Sequence, residues 1–138
     1  MKPVIGVTPD FNAGTKHVLR DITQSHVCLA FPAPSLGDPQ RYTAEVVSSI
    51  LGGGSTSRLF ERIREQEGMA YSVYAYNNML GTAGILGFYA GVAPENLDKT
   101  LALSSEELRK LCDEPITDEE MSSHCEQMKG GLVLALEN

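Results

Sequence analysis

The sequence contains no tryptophan, only three cysteines and no long apolar run. Cys28, Cys112 and Cys125 are an odd number at wide spacing, which excludes a disulfide framework and points to a reducing, cytoplasmic setting. No apolar stretch approaches a bilayer span. The start, Met1-Lys-Pro-Val-Ile-Gly-Val-Thr-Pro, is too short and too broken by proline for a secretory signal, so no membrane partner is expected. Bases are also scarce, 11 against 18 acids, for a formal net charge of −7. That balance argues against nucleic acid as a partner, because phosphate needs a basic face. What remains is ordinary: 138 residues, 42% hydrophobic, enough for one domain or a large piece of one with a real core.

Metal-binding and triad patterns are missing too. His17, His26 and His124 are far apart, and neither His-x-x-Glu-His nor His-Glu-x-x-His occurs. His124 and Cys125 are adjacent, so on a helix they diverge by about 100° and cannot easily share an ion. Ser55, Ser57, Ser104 and Ser105 fall at helix caps or on helix surfaces, where hydroxyls satisfy backbone groups. The chain alone lacks the parts of a self-sufficient catalyst.

Residues 1–15, rich in Pro, Gly, Asn and Thr, read as a lead-in, and residues 16–138 as the domain proper. From Lys16 to Phe31 the chain looks extended, with Val27, Leu29 and Phe31 alternating with His26, Cys28 and Ala30. Pro32 and Pro34 are expected to stop that strand. Asp38-Pro39 is a helix start, followed by an apolar stripe of Tyr42, Val46, Val47, Ile50 and Leu51. Gly52 to Gly54 end that helix, and Ser55 or Ser57 can cap the next, whose buried face is Leu59, Phe60 and Ile63. Gly68 breaks it. Met69 to Tyr76 and Thr82 to Gly91 then read as a hairpin about an Asn77 to Gly81 turn. Gly84, Gly87 and Gly91 imply bulges or a close backbone approach. Pro94 opens a helix with Leu97, Leu101, Leu108 and Leu111 inward. Thr117-Asp-Glu-Glu120 matches a capping box, in which the Glu120 carboxylate is used up. The stripe Met121, Cys125, Met128, Leu132 and Leu136 follows, and because it still runs at Asn138, more chain is expected beyond. Strands grouped in a hairpin favour an α+β layer over a parallel sheet.

The richest segment is Leu51-Gly-Gly-Gly-Ser-Thr-Ser-Arg58-Leu-Phe-Glu-Arg-Ile-Arg64-Glu-Gln-Glu-Gly68-Met-Ala-Tyr71. Its glycines do not make a Walker loop, because they follow a helix and no Gly-Lys-Ser/Thr ends them. One glycine would satisfy a helix–helix turn with unusual backbone angles; three suggest that a second surface comes close. Arg58, Arg62 and Arg64 interleave with Glu61, Glu65 and Glu67, the pattern of a solvated helix face with local ion pairs. Arg64 falls in the last helical turn, where the dipole favours a cation in any case. Tyr71 can be simply a half-buried ring. Placement raises the pair above that reading, since the Gly68 break lets both face one groove, and both are hydrogen-bond donors.

The same segment, running on through Ser72 and Val73, resembles the signature of the second homologous domain in pitrilysin/insulinase-type zinc peptidases, the family of mitochondrial processing peptidase. Gln24 to Ser35, Asp38-Pro39, Tyr89-Ala-Gly91, Pro94-Glu-Asn and Leu108 through Thr117-Asp-Glu-Glu to Leu132 carry the resemblance further. It implies an antiparallel sheet packed on one face by helices, built twice in the parent protein as halves facing across a cavity. The first half would carry zinc on an inverted His-x-x-Glu-His; none is expected in this chain. Arg64 and Tyr71 match the Arg and Tyr by which the second half hydrogen-bonds the peptide near its scissile carbonyl and stabilises the oxyanion. Gly52, Gly53, Gly54 and Ser55 match the glycine-rich substrate-side loop.

The resemblance therefore implies the peptide-binding C-terminal domain of a zinc metalloendopeptidase, inactive by itself. Its partners would be the homologous zinc-binding domain, a peptide substrate and, in a homodimer, a second copy. The alternative is a non-catalytic structural or peptide-binding subunit descended from such an enzyme.

Overall fold

The computed structural model describes residues 9–137; the first eight residues of the lead-in and Asn138 lie outside them. Residues 16–24, expected to be extended together with the stretch up to Phe31, form no strand. The first strand, β1, covers Ser25–Ala33 and passes through Pro32 rather than stopping there. The reason is position: β1 is an outer strand of the sheet, order β1-β3-β2, so a residue without N–H can point its nitrogen away from the ladder. Strands β2 (Ala70–Met79) and β3 (Gly84–Val92) form the expected hairpin. Their turn lies two to three residues later than Asn77 suggested, closed by the Leu80 amide donating to the Ala83 carbonyl at 2.7 Å.

All pairing is antiparallel, with Val27, Ala90 and Val73 in one cross-strand row and Leu29, Phe88 and Ala75 in the next. These rows face the helices. Phe88 is fully buried, as are Leu51, Leu59, Ile63 and Val92, and burying side chains of this size is the main source of stability. The other sheet face carries His26, Tyr89 and Tyr74. The His26 imidazole and Tyr89 hydroxyl share a 2.7 Å hydrogen bond, and the Tyr74 and Tyr89 rings lie 5.1 Å apart.

Helix α1 (Arg41–Gly52) starts two residues after Asp38-Pro39, whose carboxylate accepts from the Gln40 amide at 2.8 Å. Its stripe holds at Ile50 and Leu51, but Tyr42 is exposed and Ala44, Ser48 and Ser49 are buried instead. Helix α1 leans chiefly on β2 and also touches β3 and α3. A single 3₁₀ turn, Pro94–Asn96, leads into α2 (Leu97–Asp113). The four leucines predicted to point inward pack against the core, joined by buried Leu103.

Helix α3 (Asp118–Leu136) departs most from expectation. His124 is its buried residue, while Leu132 and Leu136 are 66% and 86% exposed. The contacts that hold it come from Glu120, His124 and Gln127, one position around the helix from the apolar stripe.

Candidate functional site

The glycine turn is built without unusual backbone angles. Among the described residues only Gly68 has a positive φ, at 63°, so the explanation of Gly52 to Gly54 is close approach and not left-handed backbone. A Cβ added at Gly52 would lie 2.2 Å from the Ala75 amide nitrogen, because α1 ends directly on β2. One added at Gly54 would meet only the Gln127 side-chain amide, at 2.4 Å. The surfaces that approach these two glycines thus belong to this chain. Gly53 and Ser55 stay exposed and Gly54 half-exposed, whereas Gly52 is buried. Ser57, fully buried, donates to the Gly54 carbonyl at 2.5 Å and closes the turn. Likewise Gly84 and Gly87 admit close neighbours, and neither is a bulge: an added Cβ would strike the Pro34 and Leu29 carbonyls.

The following segment, Phe60–Gln66, winds as a π-helix, with i to i+5 hydrogen bonds. Such wide turns are uncommon and concentrate at functional sites. Leu59 and Ile63 are fully buried on its inner side, Arg64 and Glu65 are exposed, and Phe60 is half-buried. The Met69 amide closes the end by donating to the Ile63 carbonyl at 3.0 Å, and Gly68 turns the chain into β2.

That entry into β2 contains the bulge of the sheet. Ala70 pairs with Val92 and Ser72 with Gly91, leaving Tyr71 as the extra residue. A bulged residue is freed from the strict alternation of the strand, and its side chain is re-aimed. Tyr71 is 61% exposed.

Arg64 and Tyr71 meet here. The Arg64 guanidinium donates to the Tyr71 carbonyl at 3.2 Å and stacks over the Phe60 ring, 4.9 Å from its centroid. Phe60, expected on the buried face, also stacks with Arg64, a contact that its position four residues earlier on the helix allows.

The three arginines have different fates. Arg62 lies 3.5 Å from Glu67, itself bonded by Lys99, whose ammonium holds the Glu67 carboxyl below its usual range. Arg58 is not part of a solvated face: it makes a bidentate pair with Glu120 of α3, at 2.7 and 2.8 Å, both side chains largely buried. That bond lowers the Glu120 carboxyl and raises the guanidinium. Among the described residues Arg64 makes no ion pair, so its charge is left to solvent or ligand.

Glu120 therefore does not complete the capping box. Thr117 does its half, accepting from the Glu120 amide at 3.2 Å, but the carboxylate is spent on Arg58. Among the described residues no group of three or more His, Cys, Asp or Glu could hold a metal. The His26 and His124 Nδ1 atoms are hydrogen-bonded to the Tyr89 and Ser49 hydroxyls.

His124 is a structural histidine. It bonds the Ser49 hydroxyl at 3.0 Å, and burial pushes its pKa below the ordinary value, with Arg58 adding to the shift and Glu120 opposing it. A lowered folded pKa means the unfolded chain binds the proton more tightly, so stability is complete above about 6.5 and falls as the pH drops below it. We expect the urea midpoint to decrease between pH 7.5 and pH 5.5, and His124→Gln to flatten that dependence.

Fold and site together give an α+β layer that presents the Arg64 guanidinium, without an ion pair among the described residues, beside the bulged Tyr71. The chain belongs to the family described as the peptidase M16 inactive domain, whose pattern matches residues 2–128. This is the second-domain type of the pitrilysin/insulinase peptidases. An uncharacterized zinc protease of Streptomyces coelicolor is 37% identical over 119 residues, 86% of this chain and 26% of that protein. The uncharacterized zinc protease YmxG of Bacillus subtilis is 35% identical over 130 residues, 94% of this chain and 32% of that one. The chain thus spans about a third or less of the length of these relatives. Among solved structures, a protease from Helicobacter pylori superposes with a TM-score of 0.73 at 25% identity, over 86% of this chain and 29% of that one. The peptidase M16 inactive domain from Pseudomonas fluorescens shares the fold, with a TM-score of 0.74 at 23% identity over 80% of this chain and 27% of that one.

Proposed function

We propose that this chain is the peptide-binding, metal-free half of a zinc metalloendopeptidase, and that Arg64 and Tyr71 hydrogen-bond the substrate backbone and the oxyanion that develops at the scissile carbonyl. The observation that carries this is the disposition of Arg64: among the described residues it alone of the three clustered arginines has no carboxylate partner, and it is anchored to the main chain of Tyr71. A guanidinium and a phenol can both donate hydrogen bonds to such an oxygen. Donors already fixed before the reaction stabilise developing charge without reorganisation cost. Gly53, Gly54 and Ser55 form the exposed part of the turn that a peptide would contact, with Gly52 as its buried support.

In this reading the zinc and the hydrolytic water belong to a homologous domain of the same polypeptide or of a partner subunit, and the three free thiols match a cytoplasmic setting. Among the described residues no helix is long and apolar enough to cross a membrane.

The test is steady-state kinetics on the chain joined to its zinc-binding half. Arg64→Ala and Tyr71→Phe should each lower kcat by about 100- to 1,000-fold, the loss typical of one oxyanion donor, with zinc content unchanged. Wild-type rates in both variants would leave the chain a structural or peptide-binding subunit.

A further inference from the structure

Helix α3 carries three polar groups at i, i+4 and i+7, and each reaches the α1–π-helix junction. Glu120 binds Arg58 just after the glycine turn, His124 binds Ser49 just before it, and the Gln127 amide donates to the Gly53 carbonyl within it, at 3.3 Å. The seam therefore spans the turn from both sides. Among the described residues His124 is the buried side chain of α3, and its apolar stripe turns largely outward from Leu132 on. The site's own elements do not explain these contacts: the Gly53 amide donates to Ser49, the Ser57 amide to Gly54 and the Glu61 amide to Ser57, and together they close the turn without α3.

We propose that α3 acts as a polar clamp on the glycine turn, with Glu120, His124 and Gln127 as positioning residues for the peptide-holding surface. The inference rests on the peptide-binding reading above for its functional half, and on the hydrogen-bond geometry for its structural half. Gly54 fits the same scheme, because the space a side chain would need there is filled by the Gln127 amide. A loop of three glycines is costly to order, as glycine loses the most freedom on folding. Anchors outside the turn limit how many conformations it samples before a peptide arrives, which is how a preorganised surface gains affinity.

The experiment compares Gln127→Met, which keeps the size and removes the donor, with Gln127→Lys, which restores a donor; Gln127 is exposed, so neither threatens the fold. Glu120→Gln is the second variant. Amide hydrogen exchange of Gly53, Ser57 and Glu61 is followed in the 138-residue chain, with the β2–β3 hairpin as internal reference. Hydrolysis is measured in the chain joined to its zinc-binding half. Gln127→Met and Glu120→Gln should speed exchange at these amides by about tenfold or more with the hairpin unchanged, and Gln127→Lys should restore protection. KM should rise by about the same factor while kcat moves much less, again with recovery in Gln127→Lys. Unaltered exchange overturns the clamp. Faster exchange with unaltered KM overturns the positioning role. Failure of the underlying peptide-binding reading would show separately, as wild-type kinetics in Tyr71→Phe.

Discussion

Gly52→Ala should destabilise the domain by about 3 kcal/mol, although it adds one methyl group to a helix end. Overpacking of a close-packed interior costs roughly 1–3 kcal/mol and more when nothing can yield. Here nothing can. The added carbon would sit 2.2 Å from the Ala75 nitrogen and 2.8 Å from the Tyr74 carbonyl carbon, both main-chain atoms of β2. Helix α1 would have to lift from the strand it leans on most. Two controls sharpen the result. Gly54→Ala meets only a flexible side chain and should cost under about 1 kcal/mol. Gly130→Ala, in open space on α3, should be neutral or stabilise by up to about 1 kcal/mol through helix propensity. Urea unfolding of the three variants measures the ordering directly, and equal costs at all three positions would refute it.

Phe88→Ala should cost about 3–5 kcal/mol, the usual loss for a buried aromatic that leaves a cavity. Phe88 is fully buried on the central strand, in register with Leu29 on one side and Ala75 on the other. The small Ala75 cannot expand into the vacated space, and Leu29 is held by its strand. Because a domain of this size has only about 5–15 kcal/mol of stability in total, this variant should be half unfolded at a much lower urea concentration than wild type. A loss below about 1 kcal/mol would mean that the sheet does not form the core as described.

Much of this architecture was legible in the residues. The element order, the hairpin, the Gly68 break and the burial of Leu59 and Ile63 follow from local periodicity and turn chemistry, which depend on near neighbours. Three features did not follow, and each depends on residues distant in sequence. Pro32 signals a strand stop in the local sequence, whereas sheet order, which makes β1 an outer strand, is not a local property. Glu120 fits its own helix cap because a capping box is complete within four residues, whereas Arg58 lies 62 positions away. The bulge at Tyr71 arises from two strands that count differently between Ala70 and Ser72 on one side and Val92 and Gly91 on the other. For the site, spacing and family resemblance selected Arg64 and Tyr71; their contact through the Tyr71 carbonyl is visible only in three dimensions.

The π-helix between Phe60 and Gln66 makes the length of this segment a fixed quantity. Its wide winding takes up more residues per turn than an ordinary helix would between the same two ends. Removing one residue would let the stretch relax into α-helical phase, still burying Leu59 and Ile63 while carrying Arg64 round to another bearing. A surface loop tolerates such a change in length, but here the loss of one residue would turn the Arg64 guanidinium away from the Tyr71 carbonyl without unfolding the chain. Drift in this domain should therefore be free to change the exposed Glu61 and Glu65, yet barred from shortening the segment.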